Sequence, residues 1–308
     1  EPSPEPIMKS TIHTSNLLEP KTVSYCDIDI YPESQYTYRT AAGLNGEEHV
    51  IYLIVSLFPV QYKPNENSFY YCDKSTIEIK YTPPKNPIIF PDTYDLLIIA
   101  PEEFSKALQK LVDHKNSIGI ETKLTTLEEI PSTGSDDQES IKYYIKDAIE
   151  NWGITYLLLV GAGFKQEEIF PVRYAWIGSG QYESKFPSDL YYADIYDGNS
   201  SFSDWDFDGD NNYAEYPVDM PAVDVIPDVY LGKLPANDVG EVKTVVNKIL
   251  KYQKRNRMTN RIVQIGGDTF PDDAEGIYEG EFANEEVLTK LPGYSTKQLW
   301  GSNGKLTK

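Results

Sequence analysis

Short apolar runs alternate with segments of helical periodicity from residue 96 onward, and this alternation limits the fold more than any other feature of the sequence. Residues 96–100 are all apolar, which is typical of a strand covered on both faces. Pro101 and two acidic residues follow, as in the first turn of a helix. Further strands are predicted at residues 120–127, 155–160, 229–233 and 262–265. We therefore predict an α/β fold, with a doubly wound, mostly parallel sheet and helices on both faces.

The second predicted helix begins with the pattern of a capping box, in which Ser135 is followed three residues later by Gln138. Apolar residues at positions 141, 145, 148 and 152 share one helical face, and Gly153 ends the helix. Ligands of such sheets bind beyond the carboxyl ends of the strands. We therefore expect functional residues near Gly161, in the loop after position 265, or in the insertion at 162–228.

A small all-β domain is predicted ahead of the α/β region. Residues 1–17 are expected to be a flexible segment, and residues 18–82 contain alternating strand patterns at 24–31, 49–58, 68–72 and 76–81. Three prolines within residues 82–87 then predict a linker, because proline removes backbone donors and stiffens the chain. The all-β domain and its linker therefore comprise residues 18–87, and a domain boundary is expected near residue 88.

The charge of the chain restricts its partners. The sequence has 48 Asp and Glu against 28 Lys and Arg, a formal net charge of -20. This charge argues against nucleic acid and anionic membranes as partners and favours cationic ones. The longest apolar run, residues 50–60, is about half the roughly 20 residues that a bilayer span needs, so no membrane span is expected. The sequence does not start with a basic segment and an apolar stretch, so we expect a removed targeting signal or a start inside a longer protein.

The two cysteines, Cys26 and Cys72, lie 46 residues apart and have no zinc-site spacing. Two interpretations remain open, a disulfide formed in an oxidising compartment and two separate buried thiols. Neither cysteine has a neighbouring His, so neither is expected to be a nucleophile. The 24 tyrosines and the many acids are typical of a secreted or extracytoplasmic protein.

The strongest local motif is residues 204–215, DWDFDGDNNYAE. Acids at loop positions 1, 3 and 5, glycine at 6 and Glu at 12 reproduce the spacing of an EF-hand calcium loop. Four acids within seven residues repel one another unless a cation compensates, which favours Ca²⁺ over a solvated acidic loop. The flanking sequence is not helical, so the loop is expected to order the insertion rather than act as a calcium sensor. The predicted calcium ligands are the side chains of Asp204, Asp206, Asp208 and Glu215, the Asp210 carbonyl, and Asn212 through a water.

A second candidate is the sequence Gly266-Gly267-Asp268 at the end of an apolar strand, followed by acids that include Glu279 and Glu281. A carboxylate just past a strand end can orient a histidine or bind a cation, and acids lining a pocket can receive a basic side chain. The alternative is a pair of turn glycines and a helix N-cap in a solvated acidic loop. These residues alone leave both interpretations open.

Several motifs in order resemble the gingipain-like peptidases of family C25. They are residues 94–104 (YDLLIIAPEEF), 114–123 (HKNSIGIETK), 156–161 (YLLLVG), 187–194 (PSDLYYAD), 227–235 (PDVYLGKLP), 265–268 (IGGD) and 279–281 (EGE). Residues 58–62 (FPVQY) are also similar to the segment before the peptidase region in such proteins. The resemblance depends on the order and spacing of the motifs rather than on any one of them.

The resemblance implies a secreted cysteine endopeptidase that hydrolyses polypeptides with a Cys/His dyad carried by a caspase-like subdomain. Residues 88–258 would form the first α/β subdomain with the calcium-loop insertion, and residues 259–308 the start of the caspase-like subdomain. The family's catalytic His and Cys both follow the point where this chain stops. We therefore expect a truncated subdomain, no activity from the chain alone, and a requirement for the remainder of its own catalytic subdomain.

The resemblance also assigns roles to two acids. Asp268 matches the residue that orients the catalytic His, a position where gingipains carry Glu, and Glu281 falls near the acid that lines the primary specificity pocket. A basic residue before the cleaved bond is the implied preference. The chain departs from the family at Ala162, where members often have Asp after Val-Gly, so any contact made by that Asp is missing here.

Two other classes of function remain open from the sequence. One is a calcium-stabilised extracellular binding or adhesion module that has the fold without proteolysis. The other, a receiver-like phosphoacceptor, is disfavoured because the acidic strand ends lack a nearby Lys for the phosphate. A Gly-His and a Cys in the gene beyond Lys308 would favour the enzyme, and their absence the binding module.

Overall fold

A computed structural model of the chain describes residues 29–82, 90–162, 168–176, 185–216, 218–219, 222–254, 260–270 and 276–304. It contains two compact units, residues 1–242 and 243–308. The predicted domain boundaries at 17, 87 and 258 stay predictions. The predicted flexible segment, most of the predicted strand at 24–31 and Cys26 lie outside the described residues.

The first unit begins with antiparallel strand pairs. The hairpin of β1 (Tyr36–Asn45) and β2 (Glu48–Leu57) is followed by the pair of β3 (Val60–Lys63) and β4 (Ser68–Tyr71), with a 3₁₀ turn at Pro64–Glu66. Strands β2 and β4 coincide with predicted strands, whereas β1 and β3 were not predicted. One prediction is wrong: residues 76–81 have the alternation of a strand but are coil in the structure. Alternation alone does not form a strand, because the backbone also needs a hydrogen-bonding partner.

A four-stranded parallel sheet forms the centre of the first unit and confirms the predicted α/β class. Its strands are β5 (Leu96–Ala100), β6 (Thr122–Thr126), β7 (Tyr156–Val160) and β10 (Tyr230–Leu234), in the spatial order β10-β7-β5-β6. The order reverses after β6. Because crossovers between parallel strands are right-handed, this reversal puts α1 (Glu102–Ser117) and α2 (Asp137–Trp152) on opposite faces of the sheet.

Strand β5 is apolar throughout because both of its faces are covered, and all five of its residues are buried. Helix α2 differs in one detail from the prediction. Its N-cap is Asp136, whose side chain accepts a 2.8 Å hydrogen bond from Glu139 N, rather than Ser135. Gly153 ends the helix as predicted, at φ 77°, and a Cβ there would lie 1.6 Å from the carbonyl oxygen of Pro91.

The insertion between β7 and β10 contains the short antiparallel pair β8 (Tyr174–Trp176) and β9 (Lys185–Pro187), and a 3₁₀ turn at Asp189–Tyr192. Another 3₁₀ turn, Leu127–Glu129, follows β6. Large side chains of the insertion complete the hydrophobic core beside α2 and the sheet. The buried members from the insertion include Phe170, Tyr191, Tyr192, Ile195 and Trp205.

Helix α3 (Val239–Gln253) contains the boundary between the two units. In the second unit, β11 (Arg261–Gly266) pairs in parallel with β12 (Ser295–Trp300), and α4 (Glu279–Thr289) connects them. Among the helices that the structure describes, none is both long and apolar enough to cross a membrane.

Candidate functional site

The acidic loop at residues 204–215 brings three carboxylates together. Oxygens of Asp206, Asp208 and Asp210 all lie within 4.8 Å of one another. Gly209 makes the sharp turn at φ 76°, in the left-handed region that glycine enters without strain. Asp206 also accepts hydrogen bonds from Asn211 N at 3.1 and 3.2 Å. The loop therefore presents a compact group of hard oxygen atoms, which Ca²⁺ prefers as ligands.

The other predicted ligands have different places. Asp204 Oδ1 accepts a hydrogen bond from Asp206 N at 3.1 Å and is not in the group, and Asn212 donates its side-chain amide to Asp210 Oδ2 at 2.7 Å. Asp210 contributes a carboxylate to the group, whereas the motif assigns it a carbonyl. Partial burial raises the pKa of Glu215, and the nearby carboxylates of Asp210 and Asp208 raise it further. Three of the six predicted ligands are thus brought together, with Glu215 in their electrostatic field.

Asp219, a buried carboxylate that the sequence analysis missed, binds backbone N–H groups on both sides of the turn of this loop. Asp219 accepts hydrogen bonds from Phe207 N at 2.9 Å and from Glu215 N at 2.8 Å. Burial raises the pKa of Asp219, and the charges of Asp208 and Asp206 add to the increase. Asp219 lies outside the twelve-residue motif and follows no spacing rule, so no sequence signal marks it.

The second residue of the loop connects it to a buried polar cluster. Trp205 is 3% exposed, and its indole Nε1 donates a 2.7 Å hydrogen bond to Asp194 Oδ2. Ser203 Oγ lies 3.1 Å from the same oxygen, and Lys142 Nζ donates to Ser203 O at 2.6 Å. The Lys142 ammonium also faces the ring of Tyr191, 4.5 Å from its centroid. Burial raises the pKa of Asp194 and lowers the pKa of Lys142.

Asp228, two residues before β10, is a further buried carboxylate. Its Oδ2 accepts hydrogen bonds from Ile195 N at 2.7 Å and Tyr196 N at 2.8 Å. Its Oδ1 and Asp194 Oδ1 have no hydrogen-bond partner among the described residues. Burial raises the pKa of Asp228 to about 7. The sequence does not reveal this cluster, because its members are brought together only by the tertiary fold.

Arg173 connects helix α2 to the acidic loop. Its guanidinium donates to both carboxylate oxygens of Asp136, at 2.8 and 2.9 Å, and lies over the ring of Tyr213, 3.7 Å from its centroid. Trp176 N also donates to Tyr213 O at 2.8 Å. The planar guanidinium thus serves a bidentate ion pair and an aromatic stack together, which a lysine ammonium does not. The acidic loop is therefore fixed at both of its ends by buried groups.

The second unit places both predicted acids at the carboxyl end of β11. Gly280 N donates to Gly267 O at 3.1 Å, and a Cβ on Gly266 would lie 2.7 Å from the Gly280 carbonyl. Only glycines allow the start of α4 to approach the strand end so closely. Asp268 follows this contact directly, and its Oδ1 accepts a 2.9 Å hydrogen bond from Phe270 N.

Glu281 is buried in the first turn of α4, at 7% exposure. It accepts hydrogen bonds from Ser302 N at 2.8 Å and from Ser302 Oγ at 2.6 Å. Ser302 follows β12, so Glu281 lies at the carboxyl ends of both strands of the parallel pair. The structure therefore brings Asp268 and Glu281 to the same end of β11 and β12. We refer to this end of the strand pair as the acidic edge.

These features characterise an α/β protein with an acidic loop in its insertion and an acidic edge at its last strands. Residues 90–307 match the model of peptidase family C25, and the chain therefore belongs to this family. No curated protein matches the chain.

Three solved structures are similar to the chain. The complex of the pro- and mature domains of RgpB from Porphyromonas gingivalis has 19% identity and a TM-score of 0.42, with 67% of this chain and 42% of that chain covered. Dimeric latent PorU from P. gingivalis has 17% identity and a TM-score of 0.36, with 69% and 20% covered. A structure described only as a protease has 18% identity and a TM-score of 0.38, with 57% and 33% covered. The chain thus spans less than half the length of these relatives.

Proposed function

We propose that these 308 residues belong to a cysteine endopeptidase and provide its scaffold and two of its acidic groups, but not its nucleophile. The observation that carries this proposal is the distribution of residues in the C25 region. Residues 90–307 match the family, yet the two cysteines of the chain are Cys26 and Cys72, and the only histidine after residue 89 is His114. A Cys/His mechanism needs a thiolate and a histidine that exchanges its proton. The chain by itself is therefore inactive as a peptidase.

The acidic edge of the second unit has two roles in this proposal. Asp268 orients the catalytic His and stabilises its protonated form, as the third member of a Cys/His/acid group. Glu281 receives a basic side chain of the polypeptide substrate at the residue before the cleaved bond. Support for these roles is their shared position at the carboxyl ends of β11 and β12. Both His and Cys come from another part of the catalytic subdomain.

The acidic loop binds one Ca²⁺ ion, which orders the insertion and is not a reactant. Asp206, Asp208 and Asp210 supply carboxylate oxygens. Glu215, whose pKa is raised by partial burial and by the charges of Asp210 and Asp208, is the further ligand that the loop spacing assigns. Removing the mutual repulsion of these acids stabilises the folded chain. Calcium at extracellular concentrations saturates loops of moderate affinity, which agrees with a secreted or extracytoplasmic location.

The test is to label the natural polypeptide that contains these residues with a peptidyl acyloxymethyl ketone ending in Arg or Lys. The proposal predicts a labelled cysteine outside residues 1–308. Asp268→Ala should slow the labelling by orders of magnitude without unfolding the protein, whereas Asp268→Glu, which restores the acid found in gingipains, should retain most of it. Equal labelling rates for the parent and Asp268→Ala would mean that Asp268 has only a structural role in the turn after β11.

A second candidate, a calcium-stabilised extracellular binding module, is favoured by the same absence of cysteine from residues 90–308. The labelling experiment separates the two. If no cysteine of the natural polypeptide reacts with the probe, while calcium still stabilises the chain, the binding module is correct and the endopeptidase is not.

A further inference from the structure

An apolar groove of about 700 Å³ lies beside the β1–β2 hairpin. Apolar side chains from the hairpin, among them Tyr38 and Leu53, form one of its walls, and residues 74–80 form the other. Ile77 and Ile79 line it yet remain 53% and 57% exposed. So many exposed apolar side chains around one groove indicate a surface that another segment covers.

One wall of the groove has the sequence of a strand but no partner. Residues 76–81 alternate polar and apolar side chains, and their backbone groups form no hydrogen bond with the backbone of any described residue. A strand-like segment with open backbone donors and acceptors is a template for an additional strand. The groove thus needs both apolar contacts and backbone hydrogen bonds from its occupant.

The chain itself contains a segment of this kind close by. Residues 22–28 (TVSYCDI) have a strand pattern and precede the first described residue, Asp29. In an extended segment, Ser24, Cys26 and Ile28 share one face. Cys72 lines the groove, is the only cysteine among the described residues, and forms no disulfide with them.

The distance to be spanned allows Cys26 to reach Cys72. Tyr31 pairs with Tyr62 in a β-bridge, and Tyr62 pairs with Phe69 on β4. Tyr31 and Cys72 are thus separated by two strand spacings in the hydrogen-bonding direction and by the three residues from Phe69 to Cys72 along the strand, which corresponds to about 14 Å. Five extended residues reach about 17 Å, and the Cα atoms of a disulfide are about 5–6 Å apart. The required span is therefore within reach of these residues without full extension.

We propose that residues 22–28 of this chain occupy the groove as an added strand against residues 76–81, fastened by a disulfide between Cys26 and Cys72. The occupant is the chain's own segment, because only this segment combines the strand pattern, the required reach and the second cysteine. In forming the Sγ–Sγ bond, the two thiols give up two protons and two electrons to the disulfide of a thiol–disulfide oxidoreductase, which leaves as its dithiol. This step fits an oxidising compartment.

The test is hydrogen exchange of the amides of residues 76–81 in the full 308-residue chain, with peptide mapping of non-reduced protein after alkylation. We expect a Cys26–Cys72 linked peptide and exchange at least tenfold slower than in the free peptide. Ile28→Asp puts a charge on the face that enters the groove and should abolish the protection. Asp27→Ser, on the opposite face, is the matched control and should retain it.

Two results would overturn the proposal. One is free alkylation of both thiols in protein isolated without reductant, together with exchange of residues 76–81 at the rate of the free peptide. The other is protection that depends on protein concentration and persists in Ile28→Asp, because the occupant would then be a second copy of the chain. If a Cys26→Ser, Cys72→Ser double variant keeps the protection, the added strand forms without the disulfide, and only the disulfide part of the proposal is wrong.

Discussion

Trp205 Nε1 donates a 2.7 Å hydrogen bond to the buried carboxylate of Asp194, and this contact joins the acidic loop to the core of the first unit. Trp205→Phe retains most of the ring but removes the donor. We expect a loss of about 1–3 kcal/mol in the free energy of unfolding, measured by urea denaturation. Trp300→Phe is the control, because Trp300 Nε1 has no hydrogen-bond partner among the described residues. Equal losses in both variants would assign the effect to ring packing.

Calcium should stabilise the chain through the grouped carboxylates of the loop. At a hundredfold excess over Kd, binding adds about 2.7 kcal/mol, and we expect a rise of several degrees in Tm that EDTA reverses. Asp206→Asn with Asp208→Asn keeps the shape and the hydrogen-bond acceptors but removes two charged ligands, so the calcium response should disappear. Asp147→Asn with Glu285→Gln makes the same change of charge at exposed positions and should keep the response. If all three proteins respond alike, Ca²⁺ binds elsewhere.

The burial of Asp228 should make stability depend on pH. Its pKa is raised to about 7 in the folded chain, whereas an Asp in an unfolded chain has a pKa near 3.8. The folded state therefore holds the proton more tightly, and the contribution of this group to stability is lost as pH rises from about 4 to 7. Asp228→Asn stays neutral, so its stability relative to the parent should increase by about 2–4 kcal/mol over that interval. A relative stability that is constant between pH 4 and 8 would contradict this account.

The guanidinium of Arg173 should not be replaceable by an ammonium group. Arg173→Lys keeps the positive charge but loses the two-point pairing with Asp136 and the stacking on Tyr213. We expect a loss of about 2–3 kcal/mol in the free energy of unfolding. Calcium affinity should also weaken, because Tyr213 belongs to the loop. Arg39→Lys is the control, because among the described residues the Arg39 side chain donates one hydrogen bond, to the Asp224 carbonyl, and lysine keeps the charge beside Asp224. A calorimetric titration that gives the same Kd for both variants would exclude this coupling.

The sequence predicts the central sheet well because burial on both faces leaves a simple pattern. The all-apolar run of β5 and the helical periodicity of α2 are local signals, and the structure confirms both. The alternation at residues 76–81 predicts a strand that the structure does not form. A strand needs a pairing partner, and the local pattern carries no information about a partner that is distant in sequence or lies outside the described residues.

The buried cluster could not be predicted because its members are far apart in sequence and look ordinary. Lys142 lies on a helix beside Ile141, where a lysine is usually a solvated residue, yet the insertion covers it completely. Asp194 and Asp228 are 34 residues apart and are joined only when the insertion folds back on the sheet. The acidic loop is the exception, since a group of carboxylates that comes from one short segment leaves its spacing in the sequence.

The claim that the chain carries the fold of a cysteine peptidase without its nucleophile is tested most directly by a cleavage assay. The purified 308-residue chain is incubated with Ca²⁺, a thiol reductant and peptide substrates whose reporters follow Arg or Lys. Its double variant Cys26→Ser, Cys72→Ser is assayed in parallel, so that cleavage by a contaminant is recognised. The account predicts no cleavage above the buffer rate by either protein. Cleavage by the parent chain that disappears in the double variant would place the nucleophile within these residues and contradict it.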